Sequence, residues 1–84
     1  MTAWAGQDTG DGRAWFQAGK FAILRGDAQR AVDDYLVRAQ VLANRQDDTL
    51  LRAEVANALG IGFRRLGQLS AAADSYRQAI ALHE

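Results

Sequence analysis

The stretch NALGIGFRRLG, Asn57 to Gly67, sets three glycines into a sequence that otherwise has helical spacing. A glycine inside a helix costs roughly 1 kcal/mol relative to alanine, so Gly60 and Gly62 must either break a helix or answer a packing need. Around them Leu51, Val55, Ala56, Leu59, Gly60, Phe63 and Leu66 recur as one apolar stripe. Gly67 follows where a helix ends in the left-handed conformation that glycine accepts. The stretch therefore predicts one helix, begun by a cap at Asp47, Asp48 or Thr49 and stopped by Gly67.

Working outward, the preceding sequence gives a second helix with Ala28, Ala31, Val32, Tyr35, Leu36, Ala39 and Leu42 on one face, running out near Asn44. Before it, Trp15, Ala18, Gly19 and Ala22 line one face of a first helix from Arg13, which Gly26 ends while Asp27 caps its successor. After Gly67, Ser70 is placed to cap a fourth helix with Ala72, Tyr76, Ala79, Ile80 and Leu82 inward. No stretch alternates with the period of two that a half-buried strand requires. The fold class expected is all-α, with residues 1 to 11 as a flexible leader and helical hairpins over about 12–45 and 48–84. Trp4 is the one large apolar residue of that leader.

Aligning helices three and four under helices one and two pairs Gly60 with Gly19, Gly67 with Gly26, Ala72 with Ala31, Asp74 with Asp33 and Tyr76 with Tyr35. Each pair lies 41 residues apart. Identities at a single offset in so short a chain mark a tandem repeat. The segments from Trp15 through Gly19 and Ala22 to Ala31 and Tyr35, and from Leu59-Gly60 through Phe63 to Ala72, Tyr76 and Ala79, resemble the tetratricopeptide repeat pattern, W-x2-L-G-x2-Y then A-x3-F. The resemblance covers residues 13 to 83. It departs from the pattern at Ala18, Ala22 and Arg38, and neither copy has the closing proline.

That resemblance implies two antiparallel helix hairpins stacked as a solenoid fragment, with Gly19 and Gly60 where each first helix crosses its partner. Gly62 has Phe21 as its counterpart, and the pattern offers no packing reason for it. The offset exceeds the family period of about 34 residues by about two helical turns. Antiparallel partners must lengthen together, so the second and third helices should be longer than the first and fourth. Long repeats of this sort resemble those of kinesin light chains, cell-polarity adaptors and bacterial regulators with helical sensor arrays.

Composition removes several function classes. Ten basic and ten acidic residues cancel, leaving no long-range field that favours nucleic acid or an anionic membrane. No window approaches the apolar length of a membrane span, and no secretory leader is recognisable, so a soluble cytoplasmic chain is the expectation. With no cysteine there is neither a disulfide framework nor a thiolate metal site, and the single histidine, His83, cannot form a zinc pair or a catalytic couple within one chain. Asp8-Thr9-Gly10 matches the aspartic protease triplet but lacks the flanking apolar strands that chemistry needs. Gly60-Ile61-Gly62 is followed by Arg65 where a dinucleotide fingerprint needs glycine. Asp33-Asp34 and Asp47-Asp48 suit a solvated face and a helix cap. No enzyme, cofactor or metal is expected.

The resemblance instead implies a protein-protein interaction module whose first and third helices line a concave groove for a peptide or helix of a protein partner. Carried over by position, the groove residues are Arg13, Phe16, Gln17, Lys20 and Leu24 with Glu54, Asn57, Ile61, Arg64 and Arg65. Asn57 stands one residue from the family's usual asparagine, since Ala58 directly precedes Leu59, and its amide can both donate to and accept from a peptide backbone. Phe16 and Ile61 would supply apolar contact. The alternative is a structural spacer or self-assembly segment of a longer array in a multidomain regulatory protein. Repeat stacks bury their ends, so Tyr76, Ile80 and Leu82 on the last helix are expected to mediate self-association, most simply as a two-fold homodimer.

Overall fold

Three turns of one geometry fold the chain into four helices in the computed structural model, which describes residues 11–83. The helices are α1 (Gly12–Leu24), α2 (Ala28–Arg30, continuing through a π-helical turn Ala31–Tyr35 into Leu36–Arg45), α3 (Thr49–Arg65) and α4 (Leu69–His83). No strand occurs among the described residues. Trp4 and the Asp8-Thr9-Gly10 triplet lie outside them.

Each turn closes with a pair of backbone bonds. Gly26 N–H donates to Ile23 O and Asp27 N–H to Ala22 O; Gly67 N–H donates to Arg64 O and Gln68 N–H to Phe63 O. Between the hairpins Asp47 N–H donates to Asn44 O and Asp48 N–H to Ala43 O. Gly26 and Gly67 take φ of 87° and 79°, the left-handed conformation that closes this motif, and Asp47 takes the same place with φ 54°. The sequence NRQDDT is thus a helix stop of the same type as the two glycine turns.

Caps follow the turns. Asp11 Oδ1 accepts from Arg13 N–H at 3.0 Å and Ala14 N–H at 3.3 Å, so the last residue assigned to the leader begins the folded body. Of the three cap candidates for α3, Asp48 serves, accepting from Leu51 N–H at 3.1 Å. Asp48→Ala is expected to lower stability by about 1 kcal/mol while Asp48→Asn stays near wild type; a urea midpoint unmoved by the alanine change would remove Asp48 from that role. Ser70 does not cap α4, which already begins at Leu69, because the preceding turn starts the helix two residues earlier than a Ser70 cap would.

Helix α1 has 13 residues and α4 has 15, against 17 in α3 and continuous segments of 3, 5 and 10 in α2. The long pair is therefore the inner one, as the repeat offset requires. The π-helical turn, in which Leu36 N–H bonds to Ala31 O, has no counterpart in α4.

The glycines show how the helices meet. A Cβ on Gly12 would lie 3.2 Å from Leu42 Cβ, and one on Gly19 would lie 2.5 Å from Leu36 Cδ2, so α2 runs antiparallel to α1. A Cβ on Gly60 would come within 2.6 Å of the Tyr76 ring, the crossing expected for the second hairpin. Gly62 also has a packing reason: a Cβ there would lie 2.6 Å from Val32 Cγ1, so Gly62 admits α2 of the first hairpin onto α3. One glycine notch closes the hairpin and the next joins the hairpins.

The core runs along α2 and α3, with Leu36, Leu51 and Val55 fully enclosed and Phe16, Ile23, Val32 and Leu59 around them. The layers form a slab of 37 × 29 × 15 Å. On α4 the buried positions are Ala72, Ser75 and Ala79, with Tyr76 beside them. Ile80, expected inward, is 60% exposed. At 100° per residue it stands about a quarter-turn off the stripe centred between Ala72 and Ala79, and α4 packs against α3 alone to any extent, so nothing covers that flank.

Candidate functional site

Helices α1 and α3 lie side by side and parallel. Arg13 and Glu54, themselves separated by the repeat offset of 41 residues, meet across them at 3.1 Å. Beyond that pair, Phe16, Lys20 and Leu24 of α1 and their repeat equivalents Asn57, Ile61 and Arg65 of α3 line one groove of about 420 Å³. The spacing i, i+3, i+4 and i+7 keeps these residues on one flank of each helix.

Most of the residues expected in a groove are brought together here. Lys20, Leu24, Glu54, Asn57, Ile61, Arg64 and Arg65 all line it. Arg13 closes one end through its pair with Glu54, which is exposed and therefore contributes little stability. Two assignments change. Phe16 is only 4% exposed and belongs to the core, with Lys20 Nζ 5.2 Å above the ring centroid, so it forms the floor and is not free to grip a partner. The flank of α1 that carries it is covered by α3, which the pattern of one helix could not reveal. Gln17 lies on the other shoulder of α1 and lines the depression between α1 and α2. Leu24, 75% exposed, offers the apolar contact expected of Phe16. Ile23 and Ala58, both buried, complete the floor and were not among the expected groove residues.

Charge is unevenly placed along the groove. At the end near Arg13 the two charges cancel, whereas Lys20, Arg64 and Arg65 at the other end form no ion pair among the described residues. The C-terminal dipole of α3 favours cations there. The groove is thus apolar along its floor, neutral at one end and positive at the other.

A larger depression, about 690 Å³, lies on the opposite side of α1, between it and the outer flank of α2. Trp15 stacks on Tyr35 with ring centroids 6.1 Å apart, and the Arg38 guanidinium lies 4.9 Å over Trp15 while bonding to Asp34. Nearby, the Arg30 guanidinium is held further above its usual range, chiefly by the Tyr35 hydroxyl and then by Asp27 and Asp34, so it is a cation at any working pH. A third depression, between α3 and α4, is lined by Glu54, Asn57, Tyr76 and Ile80. Asn57 therefore stands on the ridge between two grooves.

Among the described residues no three carboxylate or histidine side chains converge as metal ligands would, and no helix is long and apolar enough to cross a membrane. Comparison with protein-family models, curated proteins and solved structures finds no match to this chain.

Proposed function

We propose that the chain is a tetratricopeptide-like pair of helical hairpins that binds an acidic, aliphatic segment of a protein partner in the groove between α1 and α3. One observation carries this reading: Lys20, Arg64 and Arg65, without carboxylate partners among the described residues, surround a floor built from Phe16, Ile23 and Ile61. The parallel first helices and the glycine notch at each crossing support the repeat architecture. In this mechanism aliphatic side chains of the partner lie against Leu24 and Ile61, its carboxylates meet Lys20 and the two arginines, and Asn57 bonds its backbone. The groove is preformed, so little ordering opposes binding.

Calorimetric titration with a synthetic glutamate-leucine peptide, against its lysine-leucine counterpart, tests the charge requirement. Binding is expected for the acidic peptide alone and should weaken about tenfold, or ~1.4 kcal/mol, in the combined variant Asn57→Ala, Arg64→Ala. Both residues are exposed, so the thermal midpoint should reflect a change within about 0.5 kcal/mol. Equal affinity for the two peptides, or undiminished affinity in the variant, would move the site off this face.

A further inference from the structure

The two faces that the hairpins leave open are the two halves of the junction that joins them. Inside the molecule α2 seats on α3 where Val32 enters the notch at Gly62, both buried, with Ala28 buried one turn before Val32. Moved along by the repeat offset, Ala28 becomes Leu69 and Val32 becomes Ala73, and Ile80, about three turns beyond Leu69, stands on the same flank of α4. All three are exposed on α4, Leu69 at 67% and Ile80 at 60%. In the other direction Gly62 becomes Phe21, 62% exposed on α1.

The substitutions compensate in size. At the internal junction the valine of α2 enters the notch at Gly62, whose Cβ position lies 2.6 Å from Val32 Cγ1. At the open faces the bulk has changed sides, with Phe21 in place of the glycine and Ala73 in place of the valine. A small residue on α4 now matches a large one on α1. Trp15 lines the same depression as Phe21 and extends the apolar ground there.

We propose that copies of this chain join head to tail, the outer face of α4 in one seating on the outer face of α1 in the next, as α2 seats on α3 within the molecule. This goes beyond the peptide groove and is independent of it, since the groove lies between α1 and α3 of one copy. It also replaces the two-fold dimer expected from sequence: pairing α4 with α4 would leave Phe21 open, and Tyr76 is already engaged against Gly60. A contact between unlike faces does not close on itself, so the product grows with concentration.

Sedimentation velocity across micromolar to millimolar concentrations should show species that pass beyond a dimer. Ile80→Glu and Phe21→Glu, both at exposed positions, should each give folded monomers by circular dichroism. An equimolar mixture of the two variants should form a heterodimer, because each retains the face that the other has lost. Ala73→Val should weaken association about tenfold or more by crowding Phe21, and adding Phe21→Gly should restore it. A wild-type chain that stays monomeric overturns the proposal and assigns both faces to another segment or protein. So does a mixture that stays monomeric. Association lost with Ile80→Glu but unaffected by Phe21→Glu would replace it with the α4 two-fold dimer.

Discussion

Leu36→Ala is expected to remove about 2 to 5 kcal/mol of stability, which for a domain of this size is a large part of a total of roughly 5 to 15 kcal/mol. Leu36 is fully enclosed, and its Cγ and Cδ2 lie 2.6 and 2.5 Å from where a Cβ on Gly19 would stand. The side chain fills the notch that glycine opens in α1, so its removal leaves a void walled by backbone on one side, and backbone cannot collapse as a side chain can. Urea melts should show a lower midpoint with an unchanged slope. The surrounding geometry supplies an internal check. Gly19→Ala alone should be unfavourable despite alanine's better helix propensity, because its methyl meets Leu36. In the Leu36→Ala background the same change should recover part of the loss, since the methyl now enters empty space and the helix gains about 1 kcal/mol. Additive effects of the two substitutions would mean that Leu36 and Gly19 do not share this contact.

Much of this packing could be anticipated because periodicity reports which side of a helix is covered. The stripe from Ala28 to Ala39 is buried except for half-buried Tyr35, and the inner helices are the longer pair, as the repeat offset led one to expect. What one helix's pattern cannot report is how many neighbours it has. Phe16 lies beside the expected stripe of α1, yet it is buried because α3 covers that second flank. Ile80 had the composition of a core residue, yet α4 has one substantial neighbour and leaves it in water. Gly62 illustrates the same limit from the other direction. Within α3 it has only a cost in helix propensity, and its reason is Val32 on the preceding hairpin. The groove residues were legible to the extent that repeat equivalence aligns α1 with α3. Gln17 was misplaced because, at 100° per residue, a position on the shoulder of a helix can face either of two depressions.

Gly60→Leu separates local propensity from packing most sharply, because the two act in opposite directions. Leucine should favour the helix by nearly 1 kcal/mol over glycine. Against this, a Cβ at position 60 would come 2.6 Å from Tyr76 Cε1 and 2.7 Å from Cδ1, closer than carbon atoms can pack. The ring is half-buried against α3 beside Ala72 and Ala79, so relief requires displacing either the ring or the whole of α4. Overpacking of this kind costs about 1 to 3 kcal/mol, and the net effect is expected to be destabilising, with the loss concentrated in the α3–α4 hairpin. Hydrogen exchange should therefore rise in α4 before it rises in α1 and α2. In a Tyr76→Ala background the clash has no partner, and Gly60→Leu should become neutral or stabilising there, a coupling of about 1 to 3 kcal/mol between the two sites. A raised urea midpoint for Gly60→Leu alone would show that propensity governs this position and that the ring is free to move. A midpoint lowered equally with and without Tyr76 would place the strain elsewhere in α3.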